Sequence, residues 1–156
     1  MSDIYAQLVK AAAAKTWDFP RADVLVVHDG DTVDLNVTFT ATIDAGFNQA
    51  ITTTSTQPHS FRLFGCNANE LADPGGPEAR DNLAAMLPIG TRLRLSSVKD
   101  DKFGGRYDAV LWARDMLTGE EYNVVQRLID THWAVPWNGN GAKPKPPWPR
   151  PEDVHA

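Results

Sequence analysis

Apolar and polar residues alternate most regularly over residues 31–40. Asp31, Val33, Leu35, Val37 and Phe39 fall on one side, and Thr32, Asp34, Asn36, Thr38 and Thr40 on the other. Successive side chains of a strand point to opposite faces, so this period of two predicts a half-buried β-strand. It follows an Asp29-Gly30 turn and an earlier strand that starts at Val24. The same alternation sets Asp31 on the apolar side, pointing to the interior of the fold or its mouth. Residues 61–66, 91–98 (Leu93 and Leu95 inward) and 106–114 predict further strands.

Elsewhere the period is helical. Residues 2–15 predict a helix capped by Ser2 or Asp3, with Ile4, Leu8, Ala11 and Ala12 on one stripe, ended by Trp17-Asp18-Phe19-Pro20. Residues 77–87 predict a second, with Ala79, Leu83, Met86 and Leu87 inward, and residues 121–131 a third, with a stripe of Val124, Val125, Leu128 and Ile129. The Thr-rich stretch 40–60 reads as a long hairpin or extended loop anchored by Phe47 and Ile51. Five or so twisted strands with helices between and after them suit a mainly β (α+β) chain closed as a small Greek-key barrel. The boundaries expected are an N-terminal helix and linker at 1–20, the barrel at 21–138 and a Pro-rich tail at 139–156. That tail predicts an extended polyproline segment lying on the barrel through Trp148, or a disordered end.

The length of 156 residues is one ordinary domain, and the lone Cys66 excludes a disulfide framework and a thiolate zinc cluster. With no secretory pattern and no long apolar run, the expectation is a soluble cytoplasmic protein that does not enter membranes, and a monomer. A net charge of -5 counts against a broad, non-specific grip on nucleic acid.

Three segments set charged residues at strand ends or turns: His28-Asp29-Gly30-Asp31-Thr32, Arg62-Leu63-Phe64-Gly65-Cys66-Asn67-Ala68-Asn69-Glu70, and Phe103-Gly104-Gly105-Arg106-Tyr107-Asp108-Ala109. A phosphodiester is negative and gains charge as water attacks it. Arginines and a divalent cation hold that charge, a carboxylate takes the water's proton, and oxygen donors suit Ca²⁺ or Mg²⁺. Asp31, Asn67, Glu70, Arg62 and Arg106 supply this set if they converge. The four histidines show no ligand spacing.

The ordered blocks Asp-Gly-Asp-Thr, Arg-Leu-x-Gly, Glu70 and Gly-Arg-x-x-Ala resemble the staphylococcal-nuclease (thermonuclease) family over residues 22 to 138. The resemblance implies a five-stranded OB-type Greek-key barrel, here with an added N-terminal helix and two further helices. It implies a metal-dependent nuclease that hydrolyses DNA and/or RNA with low sequence specificity, using Ca²⁺ or another divalent cation such as Mg²⁺ or Mn²⁺. By that resemblance Asp31 is a metal ligand, with Asn67, the Ala68 carbonyl and, further out, Asp29 around the metal. Glu70 is the general base, and Arg62 and Arg106 stabilise the phosphate. Tyr107 and Trp137 are candidates for stacking on bases. The chain departs from the family in having Asn67 where an aspartate is usual, Asn69 where a proline is common, and an additional glycine before Arg106. These departures keep a second reading alive, a catalytically weakened OB-fold module that binds single-stranded nucleic acid or a protein partner.

Overall fold

The structure, a computed structural model, describes residues 16–102 and 104–154. The helix expected at residues 2–15 lies outside the described residues. The chain is mainly β. Its strands are β1 (Trp17–Asp29), β2 (Thr32–Gly46), β3 (Gln49–Leu63), β4 (Cys66–Ala68), β5 (Arg92–Asp100), β6 (Tyr107–Arg114), β7 (Glu121–Asn123) and β8 (Ala134–Pro136). Helix α1 (Gly76–Met86) precedes β5, and helix α2 (Val124–Asp130) follows β7.

Six strands form one sheet in the order β3-β2-β1-β5-β6-β7, antiparallel between neighbours. One further pairing bends the sheet into a partly closed ring: β3 runs parallel to β6, with Phe61 opposite Tyr107, Arg62 opposite Asp108 and Leu63 opposite Ala109. The inward face of β2 carries Val33, Leu35 and Val37, all buried, as its alternation predicts. They pack with Phe61, Leu63, Leu95 and Leu111, while Leu83 of α1 and Leu128 of α2 cover the ring. β4 and β8 form a separate two-stranded ladder.

Three local expectations change, and for the Thr-rich stretch the hairpin alternative holds. β1 starts at Trp17, because Phe19 packs edge-on against Phe39 at 5.2 Å; a register shift between Phe19 and Ala22 accommodates Pro20. The Thr-rich stretch is a continuous hairpin from Thr32↔Arg62 to Asp44↔Ala50, turned at Phe47 and Asn48, both with positive φ. Phe47 and Ile51 do not anchor it: they are 98% and 55% exposed. The reason is reach, since β1 accompanies β2 only as far as Val37 and β6 meets β3 only from Phe61, so the ribbon projects beyond the ring. Finally, residues 121–123 extend the sheet against β6, and the helix begins after Asn123, whose side chain accepts the Gln126 N–H as an N-cap.

Leu35→Ala removes a fully buried side chain and is expected to cost about 2–5 kcal/mol in urea unfolding. Ile43→Ala, on the projecting ribbon, is expected to change stability by less than about 0.5 kcal/mol.

Candidate functional site

The β1–β2 connection is a tight turn with a close neighbour. A Cβ on Gly30 would meet the Ala68 and Ala79 side chains at 2.7 and 2.9 Å, so the turn lies flush against β4 and α1 only because position 30 has no side chain. Asp29 Oδ1 accepts the Asp31 N–H at 3.0 Å and fixes the turn. The Asp31 carboxylate then points inward. Its Oδ2 accepts the Ala68 N–H at 3.0 Å, and its Oδ1 accepts the Thr32 hydroxyl at 3.3 Å. Ala68 thus meets Asp31 through its amide N–H. Thr32, expected on the polar face, is itself buried.

The arginines arrive from the ring closure. Arg62, near the end of β3, is buried although charged, and its guanidinium lies 4.5 Å from the centre of the Trp137 ring. Arg106 directly precedes β6. Gly104 and Gly105, both at positive φ, turn the chain before it, and Asp101 Oδ2 accepts from Arg106 Nε at 3.2 Å. The additional glycine is therefore absorbed in the turn.

Glu70 sits in the loop before α1. Its N–H donates to Asp73 Oδ2, and the Asp73 N–H donates back to the Glu70 carbonyl. A Cβ on Gly76 would fall 1.8 Å from that carbonyl oxygen, so the loop closes only over a glycine. Lys143, from the C-terminal segment, approaches Glu70 Oε1 at 3.5 Å.

Asp29, Asp31, Thr32, Arg62, Asn67, Glu70, Arg106 and Lys143 line one cleft of about 60 Å³. Three expected residues do not line it: Ala68, which meets Asp31 through its N–H where the resemblance implies a carbonyl facing the metal, Tyr107 and Trp137. Tyr107 packs against His59 and Phe61 and borders an apolar pocket of about 350 Å³. Trp137 covers Arg62 from the side of a neighbouring pocket that also includes Lys99 and Asp108. Thr32 and Lys143 were not read as site residues. Thr32 belongs to the Asp-Gly-Asp-Thr block, but its place in the alternation assigns it to the polar face; Lys143 carries no local signal, since only the path of the tail brings it near Glu70.

Charge is unevenly balanced within the cleft. Asp31 is pushed up from 3.8 to about 7, first by burial, then by the nearby Asp29 charge; the Ala68 N–H and Arg62 oppose this without cancelling it. Asp108, opposite Arg62, rises to about 6 through burial and its neighbour Asp101. Cys66, deep in the core, is pushed far above the ordinary thiol range by burial, which leaves it inert.

No three His, Cys, Asp or Glu side chains among the described residues gather as a metal-holding group. The donors that fit a hard cation are mixed: the Asp31 and Asp29 carboxylates, the Thr32 hydroxyl and the Asn67 amide oxygen. Asn67 Nδ2 donates to the Pro144 carbonyl at 2.8 Å, which leaves its Oδ1 as the donor atom for a metal. Added positive charge beside Asp31 would favour its ionised form, so donor chemistry and electrostatics agree.

Compared with known proteins, the chain matches no protein-family model and no curated protein.

The raised Asp31 value has a consequence for metal-free protein. Between pH 3.8 and about 7 the native state holds more protons at Asp31 than the unfolded state, so this group lowers stability as pH rises through that window and not beyond it. Asp31→Asn keeps an acceptor for the Ala68 N–H and removes the titration. In EDTA the variant is expected to melt above the wild type at pH 8 and to converge with it near pH 4. Calorimetric scans across the window check this; parallel curves would refute it.

Proposed function

We propose that this protein is a metal-dependent phosphodiesterase acting on DNA and/or RNA with low sequence specificity, built on an OB-type five-stranded ring with β7 appended. The observation that carries the reading is convergence: three segments remote in sequence bring Asp31, Arg62, Glu70 and Arg106 to a single cleft. A structural role alone does not call for two arginines and two carboxylates around one small opening.

The roles follow from charge and orientation. Three carboxylates, Asp29, Asp31 and Glu70, face three cations, Arg62, Arg106 and Lys143, and the raised Asp31 value leaves the metal-free cleft short of negative charge. Asp31, with Asp29, Thr32 and the Asn67 oxygen, would hold a divalent cation, which when bound supplies the positive charge that stabilises a phosphate gaining negative charge. Arg62, stacked on Trp137, and Arg106, held by Asp101, keep their guanidinium groups oriented, so little ordering remains when a phosphate arrives. Glu70, exposed at the rim, takes the proton of the attacking water. Only three cations line the cleft, so the grip on substrate is short and its salt dependence is shallow.

A second reading has one observation in its favour. Asn67, where the family that this sequence resembles usually has an aspartate, uses its amide to hold the tail. A cleft weakened in this way suits a module that binds single strands without cutting them.

Purified protein incubated with plasmid and single-stranded DNA is expected to cut with Ca²⁺, Mg²⁺ or Mn²⁺ and not in EDTA. Glu70→Gln is expected to lower the rate by about 10²–10⁴-fold. Cutting that persists unchanged in the variant removes Glu70 as base. Absence of cutting with every metal, together with salt-sensitive binding of single strands, favours the module.

A further inference from the structure

The C-terminal segment is fastened beside the cleft and beyond it at several points. Asn67 Nδ2 donates to the Pro144 carbonyl at 2.8 Å, and Asn69 Nδ2 to the Pro146 carbonyl at 3.4 Å. Lys145 pairs with Asp73 at 2.9 Å, drawing the Asp73 carboxyl below its ordinary value. Trp148 lies over Gly75, where a Cβ would come within 2.5 Å of the indole, and stands 6.0 Å from Trp133. Arg150 stacks on Trp133 and donates to the Thr131 carbonyl at 2.8 Å. Pro146 is buried. Only an amide at 67 and at 69 donates to these carbonyls; an aspartate or a proline does not. Both departures at these positions therefore serve the same strap.

What the strap brings is Lys143. Its ammonium reaches Glu70 at 3.5 Å and the Trp137 ring centre at 5.7 Å, and it lines the cleft with Arg62 and Arg106. The pair with Glu70 is loose and half exposed, and such pairs contribute little to stability. We propose that Lys143 is a substrate-binding residue, a third cation that the strap presents to a phosphate of the substrate. The inference rests on the phosphodiesterase reading for the identity of the substrate, and on the fastened strap for the position of the ammonium. Lys143 leaves Glu70 for the phosphate when the substrate enters.

The test uses the full chain as wild type, Lys143→Met and Lys143→Arg. Inorganic phosphate is titrated while tryptophan fluorescence is followed, since Trp137 adjoins both Lys143 and Arg62. Cleavage of a single-stranded oligodeoxynucleotide is measured with Ca²⁺ over a range of substrate concentrations. Lys143→Met is expected to weaken phosphate binding and raise KM by about tenfold each, the worth of one charge-assisted hydrogen bond, with kcat little changed. Lys143→Arg is expected to restore most of both. Unchanged phosphate affinity and KM in Lys143→Met overturn the proposal. So does a fall in kcat at constant KM, which would mean that Lys143 acts only through Glu70. If the wild type cuts nothing, the nuclease reading falls and the phosphate titration still decides: a tenfold loss in Lys143→Met upholds the cation site, while a wild type that binds no phosphate overturns it.

Discussion

The cleft depends on one short pairing, the three-residue parallel contact of Phe61–Leu63 with Tyr107–Ala109. The β1–β2, β2–β3, β5–β6 and β6–β7 pairings join strands that are neighbours in sequence, while β1–β5 and β3–β6 bring remote segments together. The second of these joins β3, at one end of the bent sheet, to β6, next to its other end, and so carries Arg62 and Arg106 toward one cleft. Its neighbours reinforce it: the Leu63 N–H donates to the Asp31 carbonyl at 2.9 Å, and the Phe64 N–H to the Ala109 carbonyl at 3.0 Å. The same few residues thus close the core around Phe61 and Leu63 and bring the β1–β2 turn, β3 and β6 to a common edge.

At that edge burial and charge oppose each other. Asp31 is held by the Ala68 N–H and the Thr32 hydroxyl, yet burial and Asp29 raise its value beyond what these contacts and Arg62 recover. A fold selected for stability alone gains nothing from a buried carboxyl beside a second one. A fold that receives a cation and a phosphate at this point gains from both, because each new charge meets fixed partners of opposite sign. The oriented arginines fit that account: Trp137 stacks on one and Asp101 holds the other.

Much of this was legible in the sequence because it is local. The alternation after Asp31 predicts the buried face of β2, and the spacing of Ala79 and Leu83 predicts the inner face of α1. A period of two sorts Thr32 to the polar side and carries no sign that a buried carboxylate accepts its hydroxyl. Phe47 looked like an anchor because size and apolarity say nothing about how far a ribbon projects. Tyr107, a candidate for stacking on bases, lies opposite Phe61 and borders the apolar pocket. The roles of Asn67 and Asn69 were beyond sequence reading altogether: their partners lie 77 residues away, and nothing near either asparagine announces them.

We propose a cation at the Asp29–Asp31 turn, where it would complete a phosphate-binding cleft. This is tested most directly by amide spectra of uniformly ¹⁵N-labelled protein during titration with substoichiometric Mn²⁺, whose unpaired electrons broaden nearby resonances. The account predicts that the amides of Asp29, Gly30, Asp31, Thr32 and Ala68 broaden first and together, and that Ca²⁺ in excess restores them. Broadening that begins instead at the exposed carboxylates of Glu120 or Asp130, with the Asp31 and Ala68 amides unaffected, would contradict it.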